Sequence, residues 1–288
     1  MLARGIVAYD PSTAQWSTFG SGMDGAVLAL AVLPDGDLVA GGSFTIAGGT
    51  NAAYIARWNG STWSPLASGM NNQVRDLVVR SNGELVASGL FTTAGDTSVN
   101  YVARWDGSAW LPLGSGLSSF VWALAAAPNG DVLASGIFST PGGPNVTRIV
   151  RWAESEWTVL ASNWLGSIDA LAVLPNGDVV AGGSFLAVGS LPAARVARWD
   201  GSAWSQLGAG FNDTVTSLRV LSNGELLAGG HFTASGSSAC PHVARWNGST
   251  WSPRGGGMTA NLALPSITTF TELPDGQFVA GGTFISAG

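Results

Sequence analysis

The chain has 288 residues, 12 of them Arg and none Lys against 18 Asp and Glu, for a net charge of −6 and a pI near 4.7. That balance provides no basic footprint for a phosphate backbone, so no nucleic acid partner is expected. Only 10% of residues are charged while 41 are Gly, a composition of strands and tight turns. Cys240 is the single cysteine, which rules out an intrachain disulfide. The longest apolar run, Ala26 to Leu33, is far short of a membrane span, so no membrane insertion is expected either.

A unit of 47 residues recurs along the chain. Its second tryptophan falls at Trp16, Trp63, Trp110, Trp157, Trp204 and Trp251, and its phenylalanine at Phe44, Phe91, Phe138, Phe185 and Phe232. The last copy reaches Phe284, five residues late, across an insertion between Met258 and Ile267. In chain order, the sequence opens with strands at Ile6 to Tyr9 and Gln15 to Phe19. The first full copy begins with the nearly all-apolar Ala26 to Leu33, as expected of a strand buried on both faces. Pro34-Asp35-Gly36 turns it into Asp37 to Phe44, because Asp-Gly and Asn-Gly supply the positive φ of short hairpins. Equivalent turns stand at Asn82-Gly83, Asn129-Gly130, Asn176-Gly177, Asn223-Gly224 and Asp275-Gly276. A loop from Thr45 to Ala53 follows, then a third strand, Tyr54 to Trp58, and a turn at Asn59-Gly60 into a fourth near Trp63 to Leu66. The chain closes with first and second strands only, Ile267 to Leu273 and Gln277 to Phe284.

Four antiparallel strands repeated in this way predict an all-β, six-bladed β-propeller. Its blades are 26–67, 73–114, 120–161, 167–208, 214–255, and 267–288 completed by 1–20, all in a single domain, 1–288. A solenoid is the competing architecture, but it would leave two ends needing polar caps. Here the terminal fragments complement one another. Pairing Gly5 to Tyr9 with Gln277 to Phe284 would close the ring, bring the termini together and give a monomer.

The run VAYDPSTAQWSTFGSGM, with the Gly doublets at Gly41-Gly42, Gly182-Gly183, Gly229-Gly230 and Gly281-Gly282, resembles the kelch repeat. LPDGDLVAGGSFT and IARWNG are similar to the delta-60 repeats of bacterial extracellular proteins. The likeness covers the whole chain. It departs from kelch where Trp replaces Tyr in five copies and where Ser88-Gly89 and Ser135-Gly136 stand for the doublet. The resemblance implies that the strand near Ala26 is innermost, and that the chain is a module of a larger bacterial surface or secreted protein. It implies no single activity.

Five copies place Arg before the third-strand Trp, at Arg57, Arg104, Arg151, Arg198 and Arg245, and an acid after the first turn, at Asp37, Glu84, Asp131, Asp178 and Glu225. In the closing copy both vanish together, to Ala8 and Gln277. Five planar Arg–carboxylate pairs inside blades are therefore expected, as scaffold in preference to an anion-binding ring. The paired tryptophans, such as Trp58 and Trp63, are expected to pack between blades. Trp122 and Trp164 fit no such pattern and are the candidate sugar-stacking platforms.

Function is sought where copies differ. Tight turns close one end of each blade; the other carries loops with a glycine at a fixed point (Gly48, Gly95, Gly142, Gly189, Gly236, Gly288). The most divergent first-strand position reads Leu28, Arg75, Trp122, Asp169, Thr216, Thr268, with Asp76 beside Arg75. A second reads Gly5, Tyr54, Tyr101, Arg148, Arg195, His242. Aromatic, Arg and carboxylate groups at a loop-rich face suit a glycan or a peptide or protein chain; surface drift is the alternative. His231, Cys240 and His242 all fall in the fifth copy, where hairpin pairing would set His231 across from Cys240 and three ligands could hold Zn²⁺. No cofactor is otherwise expected, since no C-x-x-C, H-E-x-x-H, G-x-S-x-G, P-loop or paired-carboxylate motif occurs. The expectation is a non-catalytic binding module. Its rivals are a metal-dependent enzyme and a purely structural repeat.

Overall fold

A computed structural model describes residues 6–10, 15–139, 144–153, 155–253, 258–259, 266–272, 278–283 and 286–287. All of their regular structure is β, without a helix among the described residues. Gly5, Gly142, the Asp275-Gly276 turn, Gln277, Phe284 and Gly288 lie outside them. The chain divides into two compact units. One comprises residues 1–121, 153–156 and 269–282, the other 122–152, 157–268 and 283–288.

The first full copy shows why these residues fold as they do. Val27–Val32, Leu38–Gly42, Ile55–Trp58 and Trp63–Pro65 form one antiparallel sheet in chain order. Leu33 N–H donates to Asp37 O at 2.8 Å and Gly36 N–H to Leu33 O at 2.9 Å. Gly36 sits at φ +92°, the left-handed step that returns the chain after a tight turn. Successive side chains on a strand face opposite ways. Accordingly Leu38 and Ala40 join the apolar cluster of Ile6, Phe19 and Phe44, while Val39 between them joins that of Val74, Leu77 and Phe91. Both faces of the sheet are buried, which is what its unbroken apolar runs require.

Within the first unit the second copy repeats this arrangement with Val74–Val79, Leu85–Gly89, Val102–Trp105 and Trp110–Pro112. A further four-stranded sheet joins the two ends of the chain, in the order Gln15–Thr18, Ile6–Asp10, Phe278–Thr283, Ser266–Glu272, with Ile6 opposite Gly281 and Tyr9 opposite Phe278. Thus, among the described residues, five four-stranded sheets are each cut from one continuous stretch, and one is assembled from both ends of the sequence. Consecutive sheets approach closely at Gly41, where a Cβ would stand 2.5 Å from Val74 Cγ1.

The second unit holds most of the third copy and the whole of the fourth and fifth. The fourth is Ile168–Val173, Val179–Gly183, Val196–Trp199 and Trp204–Gln206. The fifth is Val215–Val220, Leu226–Gly230, Val243–Trp246 and Trp251–Pro253. In the third, Val121–Ala126, Val132–Phe138, Val146–Ala153 and Glu156–Ser162, the middle strands stay paired out to Phe138 and Val146, beyond the point where other copies break. Ser135, in the place of the first doublet glycine, donates its hydroxyl to Ile168 O of the next sheet at 2.8 Å.

Two expectations about local structure change. The connection read as a loop from Thr45 to Ala53 is itself a small hairpin, Ile46–Ala47 against Thr50–Asn51; two-residue strands are too short to leave a periodic pattern. Trp164 is no surface platform. It occupies the repeat position of Met23, Met70 and Phe211, is 8% exposed, and packs edge-on against Phe185 and Trp204 with ring centroids 4.8 Å apart in each case.

Candidate functional site

Each sheet has two chemically different ends. At the tight-turn end the Arg and acid positions meet. Arg57 Nε donates to Asp37 Oδ2 at 2.6 Å and its Nη2 to Asp35 at 2.6 Å. Arg151 Nε reaches Asp131 at 2.7 Å and Arg198 Nε reaches Asp178 at 2.6 Å. Arg104 bonds Glu84, which also receives Arg80 at 2.6 Å and Asn82 at 2.9 Å. Burial works against ionisation of Glu84, but the bonds from Asn82, Arg104 and Arg80 outweigh it and hold its carboxyl below the usual range. Arg245 is the loosest, 3.4 Å from Glu225. Nearby, Asn59, Asp106, Asp200 and Asn247 close the third-to-fourth-strand turns by accepting the N–H groups two and three residues on. Those bonds, from Ala203 and Ser202, bring Asp200 down to about 2. Asn59 and Asn247 are thereby occupied as turn chemistry. The charged groups saturate one another.

At the opposite end the ladders are broken at a constant point. Val27 faces Gly42 and Ala29 faces Gly41, so Leu28 has no residue opposite it. Arg75, Asp169 and Thr216 are the extra residues of the same bulge in the second, fourth and fifth sheets. Trp122 holds that repeat position in the third. A bulge releases a side chain from the pleat and re-aims it. Arg75 is exposed and makes no ion pair among the described residues; Trp122, Asp169 and Thr216 are half-buried. Asp76, opposite Ser88, accepts the Leu77 N–H. Asp169 Oδ2 accepts the Ser167 hydroxyl at 2.8 Å, which in turn lies 2.7 Å from Ser184 Oγ.

The second divergent position is a matching irregularity on the third strand. Tyr54, Tyr101, Arg195 and His242 have φ of +65°, +64°, +66° and +67°, a conformation that favours glycine. Each donates its N–H to the repeat phenylalanine's carbonyl and accepts from the second glycine of the doublet, as Tyr54 does with Phe44 and Gly42 at 3.0 Å each. Three of the side chains are engaged locally. Tyr54 packs on the core between the first and second sheets, Arg195 Nη1 donates to Phe211 O at 2.9 Å, and His242 Nδ1 lies 3.2 Å from Gly230 O. Arg148 differs: it stays in the ladder opposite Gly136, reaches Pro144 O at 3.5 Å, and its buried Nε has no partner among the described residues.

The metal expectation fails on register. The bulge at His242 shifts the pairing, so that Cys240 N–H donates to Thr233 O rather than facing His231, and His242 N–H goes to Phe232 O. Cys240 is fully buried in the apolar core between the fourth and fifth sheets, and that burial raises its thiol pKa. Among the described residues no group of three or more His, Cys, Asp or Glu is placed to hold a metal.

Missed in the sequence were residues that pin the loop hairpins. Asp24 accepts the N–H groups of Thr45 and Ile46 and the Thr45 hydroxyl, all at 2.8 Å; the Ile46 bond contributes most to holding its carboxyl below the usual range. Asn71 and Asn212 do the same for Thr92–Thr93 and Thr233–Ala234. Their common place, a multiple of 47 residues apart with the third and fourth copies, Ser118 and Leu165, skipped, was the available signal.

The family model of the Rax2 C-terminal beta propeller domain matches residues 4–122 and 151–286. No curated protein matches the chain. Among solved structures, a protein of unknown function from Dyadobacter fermentans is similar with a TM-score of 0.50 at 13% identity, covering 98% of both chains. The extracellular domain of a putative one-component system from B. thetaiotaomicron gives 0.53 at 11%, covering 96% of this chain but 41% of that one. A protein described as a putative gluconolactonase gives 0.50 at 14%, covering 97% and 98%. Identities so low speak to fold alone.

Proposed function

The chain belongs to the Rax2 C-terminal β-propeller domain family, and on that premise we propose that it is a single six-bladed propeller, residues 1–288, acting as a non-catalytic binding or interaction module. Its blade sequences keep their likeness to kelch and delta-60 repeats, which favours a place within a larger secreted or surface protein. The ligand, a glycan or a peptide or protein segment, meets the bulge end of the blades, through Trp122, Asp169, Thr216, Arg148 and Arg195 in the second unit or through the corresponding Arg75, Asp76, Tyr54 and Tyr101 in the first.

One observation carries this reading. The positions that vary most between copies coincide with bulges that detach their side chains from the ladder, while at the other end of the same sheets the charged groups recur and pair internally. Variation confined to side chains a scaffold has released is the pattern of recognition. A catalytic reading lacks such support: the three groups proposed for zinc do not converge, and the lactonase description belongs to another protein.

The test is a thermal-shift screen of the whole chain against sugars, peptides and divalent metals, with chelator as control. A ligand at 100 times its dissociation constant adds about 2.7 kcal/mol, or roughly 5–10 °C at the ~2–4 °C per kcal/mol of domains slightly smaller than this one. The expected hit is a sugar or peptide whose shift disappears with Trp122→Ala. Chelator-sensitive hydrolysis of a sugar lactone above its spontaneous rate would replace the binding-module reading with an enzyme.

A further inference from the structure

Six Asn-Gly pairs stand in tight turns, at two positions of the repeat. Asn82, Asn129, Asn176 and Asn223 turn the first strand into the second; Asn59 and Asn247 turn the third into the fourth. In such a pair the glycine nitrogen, with no side chain to shield it, can attack the side-chain amide before it. The six turns differ in every bond that bears on that attack.

In the first turn each participant is tied. Gly83 N–H donates to Arg80 O at 2.9 Å, and its three counterparts make the same bond at 2.8–2.9 Å. Asn82 Nδ2 donates to the Glu84 carboxylate at 2.9 Å, and the other three asparagines reach their copies' acids at 2.7–3.4 Å. Oδ1 accepts one N–H, that of the same acid.

The third-to-fourth-strand turn inverts this. Among the described residues, the N–H of Gly60 and of Gly248 makes no hydrogen bond, and neither does Nδ2 of Asn59 or Asn247. Instead Asn59 Oδ1 accepts the Ser61 N–H at 3.1 Å, the Ser61 hydroxyl at 3.0 Å and the Thr62 N–H at 2.9 Å. Asn247 repeats the set with Ser249 and Thr250 at 3.0, 3.0 and 2.9 Å. Donors gathered on a carbonyl oxygen stabilise the oxyanion that forms when its carbon is attacked. Both asparagines and both glycines are exposed, so water has access. An acid also fits this place: Asp106 and Asp200 hold it in the second and fourth copies with the same bonds. Those bonds, chiefly from the Ala109 and Ala203 N–H groups, keep both carboxyls below the usual range, and Arg104 and Arg198 add to the effect.

We propose that Asn59 and Asn247 are sites of spontaneous deamidation, and that the four first-turn asparagines of the same dipeptide are protected. The Gly60 nitrogen bonds to Asn59 Cγ, the Cγ–Nδ2 bond breaks, and ammonia leaves with the proton that the glycine nitrogen gives up. Water then opens the imide at either carbonyl, which yields aspartate or isoaspartate. Asn247 and Gly248 follow the same course. Each conversion adds one negative charge, so the two together take the chain from −6 to −8. An aspartate product gives the first and fifth copies the turn that the second and fourth already have.

The experiment incubates the folded whole chain in mildly alkaline buffer and follows each site by mass spectrometry of tryptic peptides. Cleavage at arginine puts each of the six asparagines on a peptide of its own. Asn59 and Asn247 should convert about ten-fold faster than the other four, or more, the combined worth of one hydrogen bond on the nucleophile and one on the amide. In concentrated urea all six should convert at similar rates. Ser61→Ala removes one donor from Asn59 Oδ1 and leaves Asn247 as an internal control, so it should slow Asn59 several-fold and Asn247 not at all. First-turn conversion as fast as that of Asn59 and Asn247 would overturn the proposal. So would a folded chain in which neither converts while the chain in urea does, or a rate at Asn59 indifferent to Ser61→Ala.

Discussion

The two ends of each sheet are built from the same strands and obey different rules. In the five continuous copies every exception at the tight-turn end is small: Arg57 gains a second acid in Asp35, Glu84 gains Arg80 and Asn82, and Arg245 slackens to 3.4 Å, yet each of the five keeps its clamp. At the bulge end the backbone irregularity repeats while the side chain it releases runs from Leu28 through Arg75 and Asp169 to Thr216. A clamp depends on two residues at once, so neither drifts alone. A bulge constrains only the chain, because its extra residue has no cross-strand neighbour to satisfy. The division of labour therefore follows from hydrogen-bond geometry.

That contrast is broken most severely at Glu84. Glu84→Ala leaves Arg80, Arg104 and Asn82 without their shared acceptor, and since the arginines are partly exposed the loss is expected at about 2 kcal/mol, read as a melting temperature roughly 4–8 °C lower. The same carboxyl supplies a pH dependence. Its folded pKa is depressed below 4.5, so it stabilises the fold above that value, and the contribution is lost as pH falls through the depressed one. Glu84→Gln should accordingly flatten the acid limb of stability below pH 4.5 and leave the alkaline limb unchanged; an unaltered acid limb would show that the clamp contributes nothing.

The next largest effect separates two seams between blades. Trp63, Trp110 and Trp251 each donate Nε1–H to a carbonyl of the preceding sheet, at Phe19, Leu66 and Leu207, with distances of 3.0–3.2 Å. Trp204 does not: its buried Nε1, and that of Trp164 against it, have no partner among the described residues. Trp110→Phe should thus cost about 1 kcal/mol more than Trp204→Phe, the worth of one net hydrogen bond, in paired urea melts. Equal losses would mean that packing alone holds the seams.

These particulars show where sequence reading reached and where it stopped. The turns were legible because Asn-Gly and Asp-Gly carry their own backbone geometry, and the Arg–acid positions because they vanish together at Ala8 and Gln277. The bulges were not, because Leu28, Arg75, Asp169 and Thr216 share no residue type that announces one. Nor was the third-strand irregularity at His242, and missing it set Cys240 against His231 when its N–H donates to Thr233 O, two residues on. Trp164 looked irregular only because Met23 and Met70, its equivalents, are not aromatic. The Asp24–Thr45 pair left a recurring polar position, yet its meaning required the hydrogen bonds that pin the hairpin.

Smaller again is the expected effect of Arg245→Ala. With the arginine 49% exposed and 3.4 Å from its acid, the pair falls among surface ion pairs worth under about 0.5 kcal/mol, so its melt should be displaced by no more than roughly 1–2 °C. A loss matching that of Glu84→Ala would show that the clamps act as one network and not as separate pairs.

The sharpest form of the comparison predicts almost no change in stability. Arg75 is exposed, lies on a bulge and makes no ion pair among the described residues, so Arg75→Ala should leave the melting temperature within about 0.5 kcal/mol of the parent, as for surface substitutions away from structural features. If the bulge end is where a ligand is met, the same substitution should still lower the thermal shift produced by a bound sugar or peptide. Stability and binding would then separate at one residue, which a tight clamp such as Arg198–Asp178 does not allow, since removing its arginine strands a buried acid. A variant that loses stability without touching any ligand response would place Arg75 with the scaffold and remove the second blade from the binding face.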